Sequence, residues 1–166
     1  QESLFHLAGR IAEQLEADSV SLVSTMNDPD FLATNGFDED TKLAMYIPNT
    51  YEFFWNTDAQ GFRDRMFQEY QRFWNDERKK KAAALGLSPT QVAALASIVQ
   101  KETVKVDERP TVAGVYINRL KRGMPLQADP TVIYAIKKET QNFDTIIKRV
   151  LFRDLEIDSP YNTYKY

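Results

Sequence analysis

The stretch SIVQKETVKVDERPTVAGVYINRL, residues 97–120, places a carboxylate in line with apolar residues. A helix is expected to begin at Pro89, and its i, i+3, i+4 spacing puts Ile98 and Val99 on one apolar face. Glu102 lies four residues after Ile98 and three after Val99, so it extends the same stripe. A carboxylate on a buried face needs either an ionic partner or a chemical role.

Glu102 therefore has two interpretations. Apolar neighbours disfavour the charged form of a carboxyl group and raise its pKa, which suits a general acid near neutral pH. The alternative is a structural ion pair with Arg109 or Arg119, which follow in the next turn and the next helix. The spacing alone favours the ion pair over the acid.

The composition narrows the chemistry that the chain can perform. Its 166 residues are 43% hydrophobic and 12% aromatic, enough for one packed domain with at most a small appendage. The net charge of -3 provides no attraction to nucleic acid or to an anionic membrane surface. With no cysteine and the single histidine His6, a thiolate site, a histidine-rich metal site and a Ser-His-Asp triad are all disfavoured. If the chain is an enzyme, carboxylates must carry the proton chemistry, and no metal or cofactor is expected.

Local patterns in the first part of the chain predict helices and one strand. Residues 3–16 have an amphipathic helical pattern with Ser3 as the cap, and two short helices are expected over residues 18–26 and 28–36. In YIPNTYEFFWN, residues 46–56, Tyr, Phe and Trp alternate with other residues, which predicts a strand with an aromatic face.

The remainder is predicted to be helical. A long amphipathic helix is expected over residues 62–85, a second from Pro89 to about Val106, and a third over residues 110–121, ended by Gly123. A short helix should then begin at Asp129, with that aspartate as its cap. The predicted fold class is α+β, predominantly helical.

Several polar and aromatic side chains lie near the predicted segment ends and allow two interpretations. They are turn and cap residues, or they recognise a sugar, because amides pair with sugar hydroxyls while tyrosine rings stack on apolar sugar faces. Composition does not separate the two. The residues are Asn118, Gln127, Asp129, Tyr161, Asn162, Thr163, Tyr164 and Tyr166.

Longer motifs provide a resemblance to a known family. The runs ASIVQKET (residues 96–103), ERPTVAGVYINRLKRGMPLQADPTVIYAI (108–136) and SPYNTY (159–164) closely resemble the YceG-like family of endolytic murein transglycosylases. The segment at residues 46–56 is similar to the Pro-Asp-Thr-Tyr segment of that family. The likeness covers nearly the whole chain and is most specific over residues 96–134.

The resemblance implies a domain organisation. Residues 1–45 correspond to a partial LysM-like amino-terminal subdomain, and residues 46–166 to a YceG-like, lysozyme-like catalytic domain whose carboxyl-terminal part is missing. Members of the family cut nascent peptidoglycan strands internally, between N-acetylmuramic acid and N-acetylglucosamine, and leave 1,6-anhydromuramyl ends.

The resemblance also implies the catalytic residue. The family's catalytic glutamate is the second one of a Glu-Lys-Glu motif, which here reads Gln100-Lys101-Glu102, so only Glu102 can carry the role. It would act as a single general acid and base, because the muramyl C6 hydroxyl of the substrate supplies the nucleophile. Positions matching family motifs are expected to line the glycan cleft: Asn118, Gln127, Asp129, Tyr161, Asn162, Thr163 and Tyr164.

The expected partners follow from the same resemblance. They are peptidoglycan glycan strands and cell-wall synthases, with no nucleic acid, and with membrane contact only through an anchor absent from this chain. The expected location is the cell envelope, with the protein anchored in the inner membrane and facing the periplasm or the cell exterior. The alternative function is a catalytically silent peptidoglycan-binding or scaffold module of the cell-wall synthesis machinery.

Overall fold

The computed structural model of the chain describes residues 3–166, and helices dominate it. The α-helices within this range are α1 Leu4–Ala12, α2 Ser19–Met26, α3 Pro29–Thr34, α4 Ala59–Phe73, α5 Asp76–Ala84, α6 Pro89–Glu102, α7 Arg109–Lys121 and α8 Asp129–Glu139. Short 3-10 helices cover Lys42–Met45, Val106–Glu108 and Phe152–Glu156. No single helix among residues 3–166 is long and apolar enough to cross a membrane, and α5 with α6 passes that test only as a bent pair.

The chain forms two compact units, Gln1–Thr90 and Gln91–Tyr166. The core of the first unit joins α1, α2 and α4 through Leu4, Ala8, Leu22, Met26, Ala59, Phe62 and Met66. The division expected between residues 45 and 46 falls inside this unit, because α4 packs in the same core as α1 and α2. The first two residues of the expected LysM-like portion lie outside the described residues.

Capping chemistry explains where the first helices begin. The Ser3 side chain accepts a hydrogen bond from the His6 backbone N–H, and Asp18 and Asp28 cap α2 and α3 in the same way. The predictions for these three helices are confirmed, although α1 is shorter than expected. Gly36 follows α3 with a φ of 76°, a conformation that glycine adopts without a steric penalty.

The strand predicted over residues 46–56 is wrong, and no β-strand occurs among residues 3–166. A strand needs a neighbour for its backbone groups, whereas here the Trp55 carbonyl accepts from the Glu16 N–H at 2.7 Å. Tyr51 and Phe53 pack against the first core, while Phe54 is 84% exposed. The alternation does not mark one buried face, because Trp55 is 69% exposed although Tyr51 and Phe53 are partly buried. The fold class is predominantly helical without the expected β component.

The long helix predicted over residues 62–85 is in fact two helices. α4 ends at Phe73, and the buried Trp74 leaves the helical region at φ -84° and ψ 60°. The Asn75 side chain then accepts a hydrogen bond from the Arg78 N–H and begins α5. Asparagine is a strong helix N-cap, so a new helix begins at this position although the amphipathic pattern continues through it.

The second unit contains α7 and α8, with most of α6. α7 ends as expected before Gly123, whose φ is 64°. α6 was expected to reach about Val106 but ends at Glu102. Asp129 does not cap α8, because Ala128 occupies the cap position and the Asp129 carboxylate binds Tyr164 instead.

A buried arginine holds the first unit together beneath α3. The Arg63 side chain is 8% exposed, and its guanidinium donates to Asp28 Oδ2 at 3.1 Å and to Asp64 Oδ1 at 2.8 Å. The guanidinium carbon also lies 3.9 Å from the centroid of the Phe31 ring. One planar cation thus satisfies two carboxylates and covers an aromatic face.

We expect Arg63→Lys to lower the free energy of unfolding of the first unit by about 1–2 kcal/mol, because an ammonium group loses the fork geometry and the ring contact. Both tryptophans, Trp55 and Trp74, belong to this unit, so urea titration followed by their fluorescence reports its stability. Arg72→Lys, at a side chain 66% exposed, is the matched control and should change stability by less than about 0.5 kcal/mol. Equal effects of the two substitutions would contradict the structural role of Arg63.

Candidate active site

Hydrogen bonds to Thr163 join two parts of the second unit that are distant in sequence. The Gln127 N–H donates to the Thr163 carbonyl at 2.9 Å, and the Ala128 N–H donates to Thr163 Oγ1 at 3.0 Å. The hydroxyl groups of Thr131 and Thr163 lie 2.8 Å apart. This seam, formed by residues 127–131 and Thr163, brings Asp129 beside Tyr164, whose hydroxyl donates to Asp129 Oδ1 at 2.6 Å.

Asn162 supports the seam from inside the unit. Its side chain is fully buried, and Nδ2 donates to the carbonyls of Leu155 and Ile157, each at 2.8 Å. Its Oδ1 accepts from the Tyr164 N–H at 3.1 Å. The amide therefore holds the backbone that carries Tyr164, and the direct contact with glycan expected for Asn162 stays a prediction.

Glu102 is the last residue of α6, and its side chain is exposed. The apolar stripe does continue through the buried Leu95 and Val99, but the expected burial of Glu102 itself is wrong. The helix ends at Glu102, so Val106 cannot extend the stripe and is 68% exposed. A position on an apolar stripe shows on which side of the helix a residue lies. It does not show whether other residues cover the side chain.

The ion pair considered for Glu102 does not form within residues 3–166. The Arg119 guanidinium instead donates from Nε to the Pro125 carbonyl at 2.8 Å and from Nη2 to Gln127 Oε1. Arg109 has a buried Nε without a hydrogen-bond partner among the described residues. Glu102 is thus available to solvent and to a ligand.

The described partner of Glu102 is a buried phenol. Tyr116 on α7 is 6% exposed, and burial, together with the Glu102 charge and a side-chain hydrogen bond to its carboxylate, raises the pKa of Tyr116 to about 12. The hydrogen bond to Asp129 raises the pKa of Tyr164 to about 12, with a further contribution from the charge of Glu102. Nearby Arg119 opposes both increases. Two carboxylates, two neutral phenols and one guanidinium therefore form a single electrostatic cluster.

The structure brings together only part of the set of residues expected from the sequence. Asn118 is exposed on α7, away from the seam contacts, and its side chain makes no hydrogen bond within residues 3–166. Tyr161 contacts α8, where its hydroxyl accepts from Lys138 and its ring lies 5.0 Å from that of Tyr134. Neither Tyr116 nor Arg119 was among the predicted site residues. Tyr116 follows Val112 by four residues and so lies on the core face of α7. That spacing is the sequence feature that could have indicated it.

The fold and this cluster define a helical protein with an accessible carboxylate site supported by neutral tyrosines. The chain belongs to the YceG-like family, which it matches over residues 1–166. The family resemblance inferred from residues 96–136 and 159–164 is thereby confirmed.

Named relatives and a solved structure support this assignment. The chain is 32% identical over 182 residues to the endolytic murein transglycosylase of Bacillus subtilis, covering 98% of this chain and 47% of that protein. It is 42% identical over 79 residues to the Streptococcus pneumoniae serotype 2 protein of the same name, covering 48% of this chain and 14% of that protein. The crystal structure of a yceG-like protein from Listeria monocytogenes matches with a TM-score of 0.76 and 27% identity, over 98% of this chain and 56% of that one. The chain thus spans about half the length of the Bacillus relative.

We expect Glu102→Gln to lower the pKa values of Tyr116 and Tyr164, because the negative charge that disfavours each phenolate is removed. Asp129→Asn should lower the pKa of Tyr164 more than that of Tyr116. The measurement is an NMR titration of the protein with 13Cζ-labelled tyrosine. Since both folded-state pKa values are raised, their stabilising contribution is present below about pH 10 and is lost as the pH rises towards about 12.

Tyr166 is the internal control for that titration. Its pKa is raised by the hydrogen bond to Asp158, with no contribution from Glu102, so it should titrate alike in the wild-type and Glu102→Gln proteins. An unchanged Tyr116 in the variant would contradict the contact between Tyr116 and Glu102.

Proposed function

We propose that this chain is the catalytic portion of an endolytic lytic transglycosylase, which cleaves the β-1,4 bond between N-acetylmuramic acid and N-acetylglucosamine in nascent glycan strands. The names of the curated relatives support the class of activity. The observation that carries the proposal is the position of Glu102, exposed at the end of α6 and close enough to the buried Tyr116 to raise the pKa of that phenol. This arrangement offers an accessible carboxyl group beside a neutral phenol.

Glu102 acts first as an acid and then as a base. Its protonated form gives a proton to the glycosidic oxygen as the bond from that oxygen to muramyl C1 breaks. The resulting carboxylate takes the proton of the muramyl C6 hydroxyl, whose oxygen bonds to C1 and closes the 1,6-anhydro ring. The glutamic acid is regenerated and no water is consumed, so one carboxyl group and an intramolecular nucleophile suffice.

The second carboxylate of the cluster, Asp129, supports a different candidate reaction. Hydrolytic glycosidases use two carboxyl groups, about 5–5.5 Å apart when they retain configuration and about 6.5–9.5 Å apart when they invert it. If Asp129 activated a water molecule, the products would carry reducing ends. In the structure one oxygen of Asp129 accepts the Tyr164 hydroxyl, which favours a structural role for this carboxylate over a role as base.

The remaining expectations from the resemblance belong to the same proposal. Gln127, Thr163 and Tyr164 contribute to the glycan cleft, and the first helices form a LysM-like portion beside a lysozyme-like catalytic domain. The protein acts in the cell envelope, where an inner-membrane anchor holds it near the cell-wall synthases.

Glu102→Gln in the full-length protein should lower the rate of strand cleavage by about 10²–10⁴-fold, because no other group of the proposed mechanism transfers the proton. Uncrosslinked glycan strands are digested and the ends are identified by mass spectrometry, with anhydromuramyl ends expected from the wild type. Glu139→Gln is the matched control, since Glu139 is exposed at the last residue of α8 as Glu102 is at the last residue of α6. Strand binding without cleavage by the wild type would favour the silent module instead.

Asp129→Asn separates the transglycosylase from the hydrolase. The asparagine oxygen still accepts the Tyr164 hydroxyl, so we expect anhydromuramyl ends and a rate within about tenfold of the wild type. A loss as large as that of Glu102→Gln, with reducing ends from the wild type, would identify Asp129 as a base that activates water.

A further inference from the structure

A cavity of ≈ 220 Å³ adjoins the candidate active site within the second unit. It is lined by Asp129, Arg149, Val150, Leu151, Phe152 and Leu155. Binding sites for complete small molecules usually measure about 300–1,000 Å³, so this cavity suits one or two small groups of a larger ligand.

Hydrogen bonds connect the wall of the cavity to the candidate active site. The Leu155 carbonyl accepts from the buried Asn162 amide at 2.8 Å, and the Leu151 N–H donates to Asp154 Oδ2 at 2.8 Å. Asp129, on the opposite sequence segment, is held by Tyr164. The hydrogen bonds that position Tyr164 therefore also shape the cavity.

The charges of the cavity point to a ligand with a carboxylate. Asp129 and Arg149 both line it, yet they form no ion pair, and the Arg149 guanidinium has no partner within residues 3–166. Leu151 and Phe152 add exposed apolar surface beside this cation. A neutral sugar has no group that requires a guanidinium, whereas a short peptide offers a carboxylate for Arg149, amide N–H groups for Asp129 and small apolar side chains.

We infer that this cavity binds the peptide stem attached to the glycan strand, with the Arg149 guanidinium pairing with a stem carboxylate. The inference rests on the proposed function, because a glycan strand whose scissile bond is at Glu102 carries its stems on the muramyl sugars beside that bond. It predicts that the protein distinguishes glycan strands that carry stems from glycan strands that lack them.

The test compares cleavage by the full-length wild-type protein and by Arg149→Gln on two substrates. These are uncrosslinked strands with intact stems and the same strands after an amidase has removed the stems and the lactyl carboxylates that it exposes have been converted to methylamides. We expect Arg149→Gln to lower kcat/KM about tenfold on the intact strands, chiefly through KM, as for the loss of one charge-assisted hydrogen bond. The rate on stem-free strands should be unchanged, and Arg149→Lys should recover part of the loss on intact strands.

Arg153→Gln is the matched control, since this arginine is four residues away, its side chain is 82% exposed, and it does not line the cavity. Its rates on both substrates should equal those of the wild type. Equal losses for Arg149→Gln on both substrates would mean that the cavity binds sugar, and no loss on either would mean that Arg149 contacts no part of the strand. Both results overturn the inference.

A binding measurement distinguishes failure of this inference from failure of the proposed function. Calorimetry with a disaccharide–tetrapeptide and with the peptide-free disaccharide, its lactyl group blocked as a methylamide, needs no cleavage. Stronger binding of the peptide form by the wild type, lost in Arg149→Gln, would support the cavity assignment even if neither strand were cut. Equal affinities of the wild type for both probes would overturn it, whatever the activity.

Discussion

The candidate active site depends on the hydrogen-bonded seam formed by Thr163 with residues 127–131. Gln127 has a φ of 53°, a left-handed conformation that costs a residue other than glycine about 1–3 kcal/mol. Two backbone hydrogen bonds to Thr163 and the Arg119 contact to the Gln127 side chain, at about 0.5–1.5 kcal/mol each, offset that strain. The turn is followed directly by Ala128 and Asp129, and the Asp129 carboxylate accepts the Tyr164 hydroxyl.

The tyrosines and the carboxyl groups of the electrostatic cluster have different roles, the former as hydrogen-bond donors and the latter as proton carriers. Tyr116 and Tyr164 have pKa values raised to about 12, so both are neutral near pH 7 and act as hydrogen-bond donors rather than bases. Proton exchange in the cluster therefore falls to the carboxyl groups of Glu102 and Asp129. Both carboxyl groups belong to exposed residues, and the Asp129 side chain also accepts the Tyr164 hydroxyl at Oδ1.

Local chemistry could be predicted from the sequence, and long-range pairing could not. The beginnings of α1 and α3 and the end of α7 follow from Ser3, Asp28 and Gly123, whose effects extend over only a few residues. The strand over residues 46–56 failed because an alternation of residue types does not show whether a neighbouring strand exists. The burial of Asn162 could not be predicted for a related reason, since its partners, the carbonyls of residues 155 and 157, are not encoded by side-chain type.

The exposure of Glu102 contradicts its expected burial and yet fits the proposed reaction better. An endolytic enzyme must accept a strand that continues on both sides of the scissile bond, so its acid has to lie on an open surface rather than in a closed pocket. Openness alone would leave a glutamate at a helix end free to rotate among its rotamers. In this structure Glu102 lies close enough to Tyr116, which is buried on α7, to raise the pKa of that phenol, so the open carboxylate has a neutral phenol as its neighbour. The apolar stripe of α6 anchors the helix through the buried Leu95 and Val99, and Glu102 lies at the end of that anchored helix.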